Sequence, residues 1–165
     1  MKIKIAGIFL ALILSSPSIV QASPFDQGVV TGSILIGSGR AYNDDYTVFG
    51  VGIGYYLVNG LQIGVDYEYW SGGDPTIQQI SPRLNYVFAR SEIFSPYVGA
   101  FYRRTKISNL PDDNAYGGRA GAYMRSGNNL IVGFGIAYVE YEDCQEAIYS
   151  SCSDTYPEFT FGAYF

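Results

Sequence analysis

The stretch Leu61–Trp70, LQIGVDYEYW, constrains the fold more than any other. Its odd positions are Leu61, Ile63, Val65, Tyr67 and Tyr69; its even positions are Gln62, Gly64, Asp66, Glu68 and Trp70. Ten residues of such alternation have the period of a β-strand with two unlike faces, and no 3.6-residue pattern fits them. In a soluble sheet the polar face meets water and the oily one a core. In a closed barrel within lipid the assignment inverts, with oily side chains outward and polar ones in a narrow interior. The rest of the chain decides between the two.

The same alternation returns along the chain. Gly28–Gly37 places Val30, Gly32, Ile34 and Ile36 on one face, after a short lead at Ser23–Gln27. Thr47–Leu57 sets Phe49, Val51, Ile53, Tyr55 and Leu57 against three glycines, and the Asn59-Gly60 turn leads into Leu61. Ile77–Ala89 sets Ile80, Leu84, Tyr86 and Phe88 against Gln79, Ser81, Arg83 and Asn85. Pro82 inside that stretch predicts a bulge, or a strand that pairs fully only beyond it. Pro96–Lys106, Ala115–Arg125, Leu130–Tyr141 and Tyr156–Phe165 complete the series.

Eight strands are expected, an even number. Short connections at 58–60, 90–95 and 126–129 alternate with longer ones at 38–46, 71–76, 107–114 and 142–155. Short periplasmic turns, longer external loops and both termini periplasmic is the pattern of an outer-membrane barrel. Strands of about ten residues suit a tilted crossing. The expected fold is all-β, an eight-stranded antiparallel up-and-down transmembrane β-barrel spanning residues 23–165.

Ahead of it, residues 1–22 read as a secretory signal. Lys2 and Lys4 precede the apolar run Ile5–Leu14, Ser15-Ser16-Pro17 breaks it, and Val20-Gln21-Ala22 offers a cleavage site before Ser23. The run is too short to span a bilayer. Losing its two lysines takes the net charge from −5 to −7. That charge argues against a nucleic-acid partner. With 16 Tyr, 10 Phe, 20 Gly and only 15% charged residues, the chain is unlike an ordinary soluble domain.

The ending EFTFGAYF, with Phe161, Gly162 and the final Phe165, resembles the carboxy-terminal signature by which outer-membrane proteins are recognised for assembly. Ser95–Tyr102, SPYVGAFY, resembles a middle strand of the small OmpA/OmpX-type outer-membrane barrels. The resemblance implies the barrel-assembly machinery as a partner, together with outer-membrane lipid and lipopolysaccharide. The OmpA-type cell-wall tether is not expected, because no peptidoglycan-binding segment follows the barrel strands. Related barrels that act on lipid A rely on a histidine, and this chain has none. No enzymatic activity, catalytic residue, cofactor or metal site is therefore expected.

The inward parity carries Asp66, Glu68 and Glu158 against Arg83, Arg103 and Arg119. Buried charges persist when paired, since each unpaired ion costs on the order of several kcal/mol. These six are read as an interior salt-bridge network, packed with glycines that offset Trp70, Phe101, Tyr123 and Tyr141. Asp66 and Glu68 as a catalytic acid/base pair is the weaker reading, because a packed lumen admits no substrate.

Cys144 and Cys152 share the last loop, where an oxidising compartment favours a disulfide. Acidic residues, from Asp44 and Asp45 to Glu146 and Asp154, crowd the external loops and read as a solvated rim; sharing divalent cations with lipopolysaccharide is the sharper alternative. Arg104 and Lys106, on the outward parity near a strand end, are placed to meet lipopolysaccharide phosphates. The expected role is envelope structure and surface interaction through four external loops. The alternatives are a narrow pore, a surface adhesin or serum-resistance-type factor, and a soluble barrel with an oily inside.

Overall fold

The computed structural model describes residues 23–41, 44–88, 93–108, 111–127, 129–142 and 152–165. Eight strands follow in order: β1 (Val30–Ala41), β2 (Asp44–Val58), β3 (Leu61–Ser71), β4 (Ile77–Val87), β5 (Ser95–Ile107), β6 (Asp113–Ser126), β7 (Leu130–Tyr141) and β8 (Ser153–Tyr164). Each pairs antiparallel with its neighbours, and β8 returns to β1 to close a barrel. One end carries the tight connections and the N-terminal segment; the other carries the connections at 42–43, 72–76, 108–112 and 142–152. We refer to these as the turn end and the loop end.

The oily parity faces outward. Ile36, Ile53, Ile136 and Phe161 are 64, 56, 58 and 57% exposed, while Arg103, Glu158 and Asn85 are 3, 6 and 1% exposed inside. That inversion excludes the soluble barrel with an apolar interior. At the turn between β2 and β3, Gly60 has φ 86°, and a Cβ there would stand 2.7 Å from the Val87 carbonyl oxygen. Only glycine fits both demands.

Two expectations are corrected. The polar stretch 38–46 is not a loop: β1 and β2 stay in register from Val30↔Tyr55 out to Ala41↔Asp44, and only residues 42 and 43 lie outside the described residues. Polarity misled there because strand pairing is made by the backbone and does not require an oily face. By the same cause Asp44, Asp45, Asp113 and Asp154 belong to strands rather than loops.

Pro82 makes no bulge. The β3–β4 register runs through it as Val65↔Pro82, and β4 pairs with β5 on both sides, at Ile80↔Arg104 and Arg83↔Phe101. The Phe88 amide donates to the Pro96 carbonyl, so even-numbered residues of β4 turn their backbone groups toward β5. The donor missing at Pro82 is therefore lost on the β5 side alone, and the register survives it.

The lead at 23–27 packs into the barrel. Phe25 is buried in the turn-end mouth with Val29, Tyr56, Val87, Tyr97, Ile131 and Tyr164. Its ring stacks on Tyr123 at 5.8 Å and meets Tyr56 edge-on at 6.0 Å. The segment is held by Gly60 N donating to the Phe25 carbonyl at 2.8 Å and Gln27 N to Asn59 Oδ1 at 2.7 Å.

Candidate functional site: the charged lumen

Above Phe25 the lumen becomes ionic. Arg83 Nε on β4 donates to both oxygens of Asp66 on β3, at 3.0 and 2.9 Å. Arg119 on β6 reaches Asp66 and, on β8, Glu158, both at 3.5 Å. Arg103 on β5 lies 3.6 Å from Glu68 and donates to Tyr156 Oη at 2.7 Å and Ser81 Oγ at 3.3 Å. All six sequence-predicted residues thus meet in one interior cluster drawn from five strands. Three acids face three bases, and the cluster carries no net formal charge.

The aromatic ring of Phe101 sits among these cations. The Arg103 and Arg119 guanidinium carbons lie 5.0 and 4.8 Å from its centroid, within range of a cation–π attraction. Gln62 on β3 and Thr31 on β1 complete the cluster with neutral partners. Arg83 donates to Gln62 Oε1, and Gln62 Nε2 donates to Thr31 Oγ1 at 2.9 Å.

Glycines make the room. A Cβ at Gly52 would overlap the Asp66 carboxylate and the Ser33 hydroxyl, and one at Gly133 would stand 2.9 Å from the Tyr123 ring. Tyr123 stacks on Tyr97 at 4.4 Å. Toward the loop end Phe101, Ala115, Ala137 and Val139 cluster with Tyr141 and Tyr156, and Trp70 lies 6.0 Å from Tyr46. A small cavity of about 30 Å³ remains, bordered by Ser33, Leu35, Thr160, Asp66, Glu68, Arg83 and Arg119.

Asp66 and Glu68 face cations and a donor rather than each other. Asp66 is held by two arginines, and Glu68 by Arg103 and by Trp70 Nε1 at 3.4 Å.

The remaining predicted residues stand outside the ionic cluster. Arg104 is exposed and bound to Asp112, with Nη2 2.8 Å and Nε 3.2 Å from Oδ2. Lys106 is exposed on the same face. Phe161 and Gly162 form ladder pairs with Ile34 and Ser33, and Phe165 exchanges backbone hydrogen bonds with Val30 at 3.1 and 2.9 Å. Cys144 and the acids Asp143 and Glu146 lie outside the described residues, as do residues 1–22. Cys152 is not a free thiol, and its carbonyl accepts from Tyr141 N at 3.1 Å. Among the described residues no group of three His, Cys, Asp or Glu side chains is placed to hold a metal ion.

With this geometry the molecule matches several solved barrels. The N-terminal β-barrel domain of Pseudomonas aeruginosa OprF superposes with a TM-score of 0.64 at 16% identity, over 84% of this chain and 98% of that one. Neisserial surface protein A gives 0.55 at 15%, covering 82% and 94%. The Yersinia pestis outer membrane protein Ail, determined in a phospholipid bilayer nanodisc, gives 0.54 at 17%, covering 84% and 100%. The fold is theirs. No family model matches the chain, and no curated protein matches it in sequence.

Sequence reasoning missed two contributors. Tyr156, the strongest hydrogen-bond partner of Arg103, was legible only as an aromatic at a strand start. Phe25 offered a faint signal, one large aromatic in an otherwise small and polar lead.

Proposed function

We propose that the chain is an integral protein of the bacterial outer membrane, with a closed lumen and no enzymatic activity, serving envelope structure and surface contact. One observation carries this reading: a girdle of exposed Ile, Val, Phe and Tyr side chains surrounds a barrel whose inside holds six paired charges. In water that girdle would be a vast apolar patch; in a bilayer it is the required surface. The nanodisc-embedded Ail barrel supports the location by likeness.

Three features favour a packed interior over a pore. Phe25 fills the turn-end mouth, the ionic cluster bridges the middle, and the cavity of about 30 Å³ beside that cluster holds no more than a few water-sized atoms, too little for a continuous path. Asp66 and Glu68 are neutralised by arginines, and the chain has no histidine to take their place in catalysis.

In this reading residues 1–22 are the signal and both termini are periplasmic. Cleavage before Ser23 would put the new α-ammonium where Ser23 N now stands, 2.9 Å from Asp26 Oδ2. That ion pair would help seat Phe25. The loop end, outside the cell, presents the stretches at 72–76, 108–112 and 142–152, the last stapled by a Cys144–Cys152 disulfide. Arg104 and Lys106 meet lipopolysaccharide there, and the assembly machinery reads Phe161, Gly162 and Phe165. Surface adhesion is the second reading; it is favoured by likeness to Ail, whose crystal structure is that of an attachment invasion locus protein.

The test is heat-modifiable migration of the outer-membrane fraction on a detergent gel. An unboiled band that shifts on boiling is expected. Recovery of the protein in the soluble periplasmic fraction overturns the reading.

A further inference from the structure

The barrel wall is incomplete along one line. β1 and β8 pair only from Thr31↔Tyr164 to Ile34↔Phe161, whereas every other neighbouring pair of strands zips along most of its length. Beyond that point Leu35–Ala41 keep a ladder partner only on β2, and Asp154–Thr160 only on β7. About 20 Å of two facing strand edges stands open.

The sequence maintains this opening. The hydrogen-bonded pair Val30/Phe165 sets the alternation, so odd-numbered residues of β8 direct their backbone groups at β1. Pro157 is among them and has no N–H to offer Ser38, the residue it would face. Pro82 shows that one missing donor does not open a seam. At the β1–β8 edge a second donor is diverted as well: Thr155 N donates to Asp154 Oδ1 at 2.7 Å instead of across the gap. Proline and a capped amide are also devices that keep a foreign strand from adding to an edge. A β-strand partner is therefore disfavoured.

The slot joins two chemistries. Its lipid side is flanked by the exposed side chains of Ile34, Ile36, Phe159 and Phe161. Its inner side begins at Leu35 and Thr160, the first unzipped register pair, and both border the interior cavity that touches Arg119. Arg119 Nε is buried and has no hydrogen-bond partner. Its two Nη atoms are taken by Asp66 and Glu158, and a buried donor left without a partner costs free energy, so an acceptor at Nε is called for. The cavity, at about 30 Å³, suits a head no larger than a carboxylate.

We infer that the β1–β8 slot is a lateral binding site for a single-chain carboxylate amphiphile. Its tail lies along Ile36 and Phe159 in the bilayer, and its carboxylate enters beside Thr160 to accept from Arg119 Nε. The inference rests on the membrane reading above.

The test uses the mature chain folded in phosphatidylcholine vesicles with a trace of palmitic acid carrying a mid-chain diazirine, and the same chain as its methyl ester. After photolysis, labelled residues are mapped by mass spectrometry. The acid should label the 34–38 and 157–161 segments at least about fivefold over the equally lipid-exposed Ile53 and Ile63. The ester should label all lipid-facing segments alike. A Pro157→Thr, Asp154→Ala double variant, which restores both donors, should lose the preference. Even labelling by the acid, or the same slot preference for the ester, overturns the inference. If the double variant does not fold, the acid–ester contrast decides alone. Failure to insert into vesicles at all would overturn the membrane reading instead.

Discussion

Arg103 on β5 donates to the Tyr156 hydroxyl on β8 at 2.7 Å, bracing two strands that are not neighbours in the wall. The same guanidinium lies 3.6 Å from Glu68 on β3. One side chain thus ties three separate strands across the lumen. Replacing Arg103 with Ala leaves Glu68 buried without its cation and should cost about 3–5 kcal/mol. Tyr156→Phe removes one charged hydrogen bond and should cost about 1.5–3 kcal/mol. Urea unfolding in vesicles, followed by loss of the fast-migrating gel band, ranks the two. Equal costs would show that Glu68 does not depend on Arg103.

Phe25 closes the turn-end mouth, but the ionic cluster lies beyond it. Phe25→Ala should lower stability by about 3–5 kcal/mol through the cavity it leaves. It should not create conductance, because the arginine–carboxylate pairs still span the lumen. Planar-bilayer recordings of the purified protein and the variant check this. Large, regular openings in either would displace the packed-interior reading in favour of a pore.

Gly52 faces the Asp66 carboxylate and the Ser33 hydroxyl with no space for a methyl group. Gly52→Ala should cost about 1–3 kcal/mol, since Asp66 must shift away from Arg83 to admit it. Gly32 faces outward with nothing near its missing Cβ, so Gly32→Ala is the matched control and should be close to neutral. Unfolding midpoints of the pair measure the difference.

Arg104 is held by Asp112 in an exposed ion pair, which contributes at most about 1 kcal/mol. Arg104→Ala, Lys106→Ala should therefore fold normally in phosphatidylcholine. If the two cations meet lipopolysaccharide, the same variant should fold more slowly only when lipopolysaccharide is present. Unchanged kinetics in both bilayers would remove that contact.

Reduction should release the expected Cys144–Cys152 staple. The disulfide closes a short loop beside the Tyr141–Cys152 backbone bond, so its loss should cost about 2–3 kcal/mol. A gel shift of the unfolded chain between oxidising and reducing conditions checks that the bond forms.

Most of the wall is legible in the sequence. Ile53, Ile63 and Phe161 face outward and Asp66, Arg83 and Glu158 inward, as their parity required. The stretch 38–46 was illegible because polarity marks a loop only where burial demands the opposite. Pro82 was misjudged because a proline disrupts just one of its strand's two edges, and which edge depends on how the neighbours pair.

Strand number and the side each side chain faces were determined by the sequence alone. A strand alternates with period two, so every few residues restate the answer locally. The tertiary structure alone decided what meets across the lumen: Arg119 shared by Asp66 and Glu158, Phe25 in the mouth, and β1 parting from β8 beyond Ile34. Those relationships join residues from separate strands. Barrel closure and strand stagger set them, and no local pattern encodes either.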